Sequence, residues 1–400
     1  MKLKIKTHKV TELVETVTEP VETVTEPVEV KRLLIFLLVC VLNIQAAVAQ
    51  SYEKKVIAYY SGSLEDLDRY DATKITHIIY CFGHLSGNQI KIGSSRDTLM
   101  VQKMVGLKTR NPSLKVLLSL GGWGGCAPCS DVFNSVKGRK DFALSVKSLN
   151  AYLGADGIDL DWEYPTIPGY PEHTYRSEDK ANFTALLTEL RSILGKDQII
   201  SFAAGGFDQY IDESVDWDAV MKVVDFVNLM TYDLVSGYAT TTGHHTALYS
   251  TKEQKQSTDN AVQKLLRKGI DPHQLIIGAA FYARTWEHVP NVNKGLYQPG
   301  KFKSFISFKS FPKNLPGALS DSKANKSKTG FVEYWDKHAK APYAYNADQQ
   351  IYATYDNKRS IKAKTKYLTK HDLGGIMFWE LSSDTYTDGL LETIHQTLHP

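Results

Sequence analysis

Residues 156–165 read DGIDLDWEYP, and the alternation within this run decides the fold. Side chains of a strand point to opposite faces in turn, so Asp159, Asp161 and Glu163 share one face while Ile158, Leu160 and Trp162 share the other. In a barrel of strands one face turns inward and the other packs on helices, which suits a strand that is acidic on one side and apolar on the other. A calcium loop would need a glycine at its sixth position and a distal glutamate, and this run has neither. A solvated charged edge is at odds with the apolar alternate face and with Trp162.

Outward from this run, short β-rich stretches recur at 56–61, 75–82, 115–120, 157–164, 199–203, 226–232, 275–279 and 375–378. Several are nearly continuous in apolar character, as strands buried on both faces should be. Helical patterns lie between them. Ser177 is positioned to cap a helix with Leu186, Leu187, Leu190, Ile193 and Leu194 on its apolar face and Gly195 at its end. Val262, Leu265 and Leu266 closed by Gly269 repeat the arrangement, and Ile361, Tyr367 and Leu368 follow Ser360. Strand and helix alternating in this way predict an α/β chain, a (β/α)8 TIM barrel. The stretch from Ala279 to Gly375 is too long for one crossover. Residues from about 286 to 345 read as a small α+β insertion before the eighth strand, forming one wall above the barrel.

The same alternation bears on chemistry. Three acids entering a barrel interior in single file cannot all ionise in a low dielectric, so at least one pKa must rise. Glu163 is last in the row, at the C-terminal mouth where such barrels work. An acid kept protonated there is suited to donate a proton at neutral pH.

These residues carry a resemblance. Asp156-x-x-Asp159-x-Asp161-x-Glu163 resembles the DxxDxDxE signature of glycoside hydrolase family 18, the chitinase family. Ser119-Leu-Gly121-Gly122-Trp123 is similar to that family's SxGG strand, and Met230-Thr-Tyr232-Asp233 to its MxYD strand. Phe281-Tyr282-Ala-Arg284 resembles its Y-x-R segment, and Trp379 the tryptophan that closes its eighth strand. The long insertion is similar to that of the subfamily with a deep groove. Departures are small: Ala283 stands where glycine is common, and Cys126-Ala-Pro-Cys129 occupies a variable loop.

The resemblance implies a retaining hydrolase that cleaves chitin or chito-oligosaccharides with help from the substrate's own acetamido group. It implies Glu163 as the acid and base, Asp161 as the partner of the acetamido N–H, Asp159 as the neighbour that shares hydrogen bonds with Asp161, and Tyr232 as the residue aiming the acetamido group. Asp156, of opposite parity, reads as structural. Spacing agrees independently: Asp161 and Glu163, with Cα atoms ~7 Å apart on one face, are poorly placed as acid and nucleophile on opposite faces of a sugar. Sugars present apolar C–H faces, so aromatic platforms are expected. Trp379 at the floor and Trp123 at the mouth are the foremost, with Tyr59, Phe82, Tyr164, Met230, Asp233, Tyr282 and Arg284 following by motif position. Two other readings remain: an endo-β-N-acetylglucosaminidase acting on glycan cores, and a chitin-binding lectin, which would be expected to lack the terminal acid.

Composition sets outer bounds. The chain has 400 residues, 42% hydrophobic and 23% charged, enough for a large core. Lys+Arg 47 against Asp+Glu 44 leaves +3, which offers no footprint for nucleic acid. No nucleotide or phosphate loop is present, and no cofactor or metal is expected. A monomer is expected. Trp217 and Trp286 match no motif and read as packing. Cys126 and Cys129 read as a local disulfide and not a zinc pair, since no second pair accompanies them. Cys81 reads as a buried small hydrophobe, and His244-His245 as polar contacts of a loop.

Residues 1–30 differ from the rest. VETVTEP at 14–20 recurs at 21–27, and a proline in every seventh place forbids a continuous helix. This segment reads as a disordered tail or a misassigned start. Lys31-Arg32, the apolar run 33–42 and Ala47-Val48-Ala49 read as a signal peptide over 31–49, cleaved after Ala49. The apolar run is too short to span a bilayer, and Val39 before Cys40 is too large for a lipid-attachment signal. A secreted or periplasmic protein without a stable membrane anchor is expected, with residues 50–400 as its catalytic barrel.

Overall fold

The computed structural model describes residues 53–318 and 330–400; the repeat, the basic-apolar segment and its cleavage site lie outside the described residues. In chain order the strands are β1 (Lys55–Tyr60), β2 (His77–Ser86), β3 (Gln89–Lys91), β4 (Lys115–Gly121), β5 (Gly157–Asp161), β6 (Ile199–Gly205), β7 (Phe226–Met230) and β8 (Leu275–Ala280). Then come β9 (Tyr282–Glu287), β10 (Lys301–Ser307), β11 (Val332–Asp336), β12 (Ala341–Asn346), β13 (Ile351–Thr354) and β14 (Gly375–Trp379). The parallel order β1-β14-β8-β7-β6-β5-β4-β2 closes through β1–β2, giving the eight-stranded barrel, with β3 as a hairpin on β2.

Alternation divides the apolar residues into two cores. Inside the barrel lie Ile57, Ile79, Leu117, Phe226, Ile276 and Met377. Outside, Val56, Ile78, Val116, Ile158, Leu160, Ile200, Phe202 and Val227 belong to the core shared with the helices. Trp162 stays on the outer side after β5 has ended, its ring 5.7 Å from Phe133 and 6.1 Å from Phe183.

The strand read as 157–164 ends at Asp161. Beyond that point the neighbour turns away: Gly121 pairs with Asp161, and Gly122 N–H takes the Asp161 carbonyl at 2.9 Å. Gly121 has φ +109, and a Cβ there would lie 2.2 Å from that carbonyl oxygen, so the close approach requires glycine. One helix start differs from expectation, and a second is capped ahead of Ser360. The helix Asp179–Leu194 has Glu178 at its N-cap position with no side-chain cap, and Ser177 hydrogen-bonds the Glu178 carboxylate instead. The helix Lys358–Lys370 is capped by Asn357, with Ser360 completing a capping box from inside the first turn.

Between β8 and β14, five antiparallel strands in the order β10-β9-β13-β12-β11 form a second sheet, running from Tyr282 to Thr354. Trp286 is fully buried there, donating to the Ala239 carbonyl, and Trp217 is buried against the barrel, donating to the Ile211 carbonyl. Both are packing residues. Among the described residues no helix is long and apolar enough to cross a membrane.

Candidate active site

The inner face of β5 is acidic because its neighbours supply donors there. Asp159 lies fully buried at the base of the row. It accepts hydrogen bonds from Tyr59 (3.0 Å), Ser119 (2.9 Å), Ser201 (2.6 Å) and Asn228 (3.1 Å), one residue from each of β1, β4, β6 and β7. Burial raises its pKa, and these donors oppose the rise.

Asp161 stands one step nearer the mouth, also buried, and its Oδ1 has no hydrogen-bond partner among the described residues. Its carboxyl is pushed well above the usual range by burial first, then by the charges of Glu163 and Asp159. Glu163 is partly exposed at the mouth and is pushed up to about 7. Burial is the main cause, a hydrogen bond with Tyr164 and the charge of Arg284 pull the other way, and the charge of Asp233 adds to the rise. Near neutrality the Asp161–Glu163 pair therefore retains a proton that ordinary carboxylates would have lost. Asp156, on the other face, accepts from the Val116 amide and from Lys108, both at 2.7 Å, in keeping with a structural role.

Above β7 a second constellation faces the acids. Asp233 is held by Arg284 through two donors, Nε to Oδ1 and Nη2 to Oδ2 (2.6 Å), and by the Tyr282 hydroxyl at 2.6 Å. Burial works against the Asp233 charge, but hydrogen bonds from Arg284 and His245 overcome it and keep the carboxyl well below its ordinary value. His245 was not among the expected site residues. Its Nδ1 lies 3.4 Å from Asp233 Oδ1 and 3.4 Å from the Asp233 amide, with its ring 5.2 Å from Tyr282. The adjacent His244 faces away, toward Asp336 at 3.1 Å. Both are fully buried, more than a loop's polar contacts would suggest, and only the tertiary packing separates their roles.

The floor is aromatic. Trp379 stacks on Phe82 at 5.5 Å with 16° between planes, and Tyr59 lies 6.0 Å from it. Gly122 makes room for Phe82, since a Cβ there would come within 2.5 Å of the ring. Tyr232 and Met230 are buried along the wall, with the Tyr232 ring 6.2 Å from Tyr282. Trp123 is 47% exposed at the mouth, with Tyr164, Tyr170 and Tyr238 around it at 6.3, 5.6 and 6.3 Å. Cys126 and Cys129 are bonded in the same loop, and Cys81 is partly buried beside the floor, less enclosed than expected.

Asp161, Glu163, Asp233, Tyr282 and Arg284 line one cleft of about 1410 Å³ with the aromatic residues Tyr59, Phe82, Trp123 and Trp379. All thirteen expected site residues except Asp159 line it, and Asp159 lies beneath. Phe207, Tyr238, Glu380 and the insertion residues Phe302 and Phe305 line it too, and were not foreseen. They sit on connections between strands or on a short sheet whose facing depends on a bulge, where no motif marks them.

A model of the glycosyl hydrolases of family 18 matches residues 55–384. Chitotriosidase-1 of Mus musculus is 30% identical over 358 residues, which are 82% of this chain and 73% of that protein. Chitinase A1 of Niallia circulans is 33% identical over 298 residues, 70% of this chain and 42% of the relative, so this chain spans less than half of it. Among solved structures, a family 18 N-acetylglucosaminidase from Paenibacillus barengoltzii matches with a TM-score of 0.76 at 36% identity, over 86% of this chain and 100% of that one.

Proposed function

Because the chain belongs to glycosyl hydrolase family 18, we propose that it is an exported chitinase, hydrolysing β-1,4-linked N-acetylglucosamine polymers by substrate-assisted retaining catalysis. One observation carries the mechanism. Asp161 and Glu163 share one face of one segment, both with raised pKa, while Asp233 is committed to Arg284 and Asp159 to four donors.

In this reading protonated Glu163 gives its proton to the glycosidic oxygen as the bond to the anomeric carbon breaks. The acetamido carbonyl oxygen of the same sugar attacks that carbon and closes an oxazolinium ring. Asp161, whose Oδ1 has no partner among the described residues, accepts from the acetamido N–H and offsets the ring's positive charge. The Tyr232 hydroxyl, whose contact within the protein is a weak one to the Met377 sulfur at 3.7 Å, is available to aim the acetamido group. Glu163, now a carboxylate, takes a proton from water as it opens the ring. Trp379 supports the sugar from below and Trp123 offers a further contact surface at the mouth.

Both acids are present, which favours an enzyme over a lectin. Export rests on the sequence of residues 31–49. Release of soluble sugar from colloidal chitin, wild type beside Glu163→Gln, tests the proposal. Chitin left intact by a folded wild-type chain, with glycans released from glycoprotein, would move the assignment to the endo-β-N-acetylglucosaminidase reading.

A further inference from the structure

We infer that Phe305, on the edge strand of the inserted sheet, is an aromatic platform for a sugar remote from the bond being cleaved. The inference rests on the chitinase reading and adds a specificity residue to it. Phe305 lines the cleft, yet is 72% exposed.

The strand is built to put it there. β10 pairs antiparallel with β9, and residues directly opposite share a face: Phe302 with Trp286, Phe305 with Arg284, Ser307 with Tyr282. Phe302 and Phe305 are three apart, so a regular strand would send them to opposite faces. The register shifts between Phe302 and Ser304, leaving Lys303 as an extra residue. This bulge turns Phe305 onto the face that carries Tyr282 and Arg284. Lys303, freed from the ladder, pairs with Glu287 at 2.7 Å.

Folding does not account for the arrangement. Edge strands are protected by charge, and Lys301 and Lys303 serve that purpose on β10. Phe302 packs against Trp286 at 5.7 Å and carries the Arg284 guanidinium at 5.5 Å. Phe305 has no ring partner of this kind among the described residues, and it stands two residues along the strand from the level of Tyr282, about 7 Å. A flat apolar ring in water, on a wall above Asp233 and its partners, suits the C–H face of a further sugar in the same chain.

The test compares wild type, Phe305→Ala and Phe305→Trp on N-acetylchito-oligomers from dimer to hexamer. Binding of the same oligomers is measured in a Glu163→Gln background. Phe305→Ala should keep the wild-type melting temperature, and its effect on cleavage should grow with oligomer length, being smallest for the shortest cleavable oligomer. For the hexamer it should lower kcat/KM roughly three- to tenfold, mostly through KM, with hexamer binding weakened to match. Phe305→Trp should keep or strengthen both. Equal losses at every length, or no loss at any, would overturn the platform while leaving the chitinase reading intact. A wild-type chain that neither binds nor cuts the oligomers would overturn both.

Discussion

Nη2 of Arg284 donates to Oδ2 of Asp233 at 2.6 Å while Nε donates to Oδ1, so the cleft wall facing Glu163 carries a fixed pair of opposite charges. The pair acts on Glu163 in two directions: Asp233 raises its pKa and Arg284 lowers it. In the proposed mechanism the Glu163 proton is therefore adjustable from a residue that need not touch the glycosidic oxygen.

Asp233→Asn removes a charge that adds to the effect of burial in holding the Glu163 proton, and leaves Arg284 uncompensated. Both changes lower the Glu163 pKa. The alkaline limb of kcat/KM, where Glu163 loses its proton, should move to lower pH by on the order of one unit. Arg284→Gln should move it the other way. A pH–rate profile of each variant checks the signs, and two shifts in one direction would refute this electrostatic account.

Glu163→Gln should change stability as well as activity. Turnover should fall by ~10²–10⁴-fold with oligomer binding kept, since an amide has the shape but no acidic proton. The native Glu163 holds its proton up to about 7, against an ordinary value of 4.5. Between those values the native state binds more protons than the unfolded chain, so wild-type stability falls as pH rises through this window. The amide escapes that penalty, and Asp161 loses a charged neighbour. Thermal melts at several pH values should show the variant gaining on wild type from acid to pH above neutrality; a difference that stays flat across pH would contradict the raised Glu163.

The alternation in residues 156–165 was enough to place Asp159, Asp161 and Glu163 inside a barrel and Trp162 outside it, because one inversion per residue is a local property of a strand. It was not enough to locate the strand's end. That depends on Gly121 and Gly122 turning away on the neighbouring strand. His245 was illegible for a similar reason: two adjacent histidines look alike in sequence, and packing alone sends one to Asp233 and the other to Asp336. Phe305 faces the cleft only because of the extra residue in β10, and a bulge leaves no periodic trace in so short a strand. Ser177 lost the cap because Asp179, buried in the helix's first turn, takes the Arg176 amide and the Ser130 hydroxyl and fixes the chain's entry.

Trp379→Ala should weaken oligomer binding and slow turnover together, by roughly tenfold in kcat/KM, because it removes both a contact surface and the support for the sugar at the reacting carbon. Phe82 would lose its stacking partner, so circular dichroism and a melt accompany the kinetics. A variant with reduced folded fraction but normal rates per folded molecule would assign Trp379 to the core instead.

The substrate's own part in the reaction gives the sharpest test. With Asp233 tied to Arg284 and Asp159 to its four donors, the attacking oxygen is assigned to the acetamido group and not to a protein carboxylate. A chain with free glucosamine at the cleaved position should bind and resist cleavage there, since an amine offers no carbonyl oxygen. Cellulose-type oligomers, with a hydroxyl at that carbon, should not be cut. The first product should keep the β-anomeric configuration, because ring closure and ring opening each invert the carbon once. A thiazoline mimic of the cyclic ion should inhibit competitively, and Asp161→Asn should weaken its binding by removing the charge that faces the ring. Proton NMR of fresh product gives the anomer, and sequencing of products from partly deacetylated chitosan gives the sugar at each cut. An initial α-anomer would mean direct displacement by water, and efficient cuts after glucosamine would mean a protein carboxylate as nucleophile; either result would show that Asp161 and Glu163 work by some other mechanism.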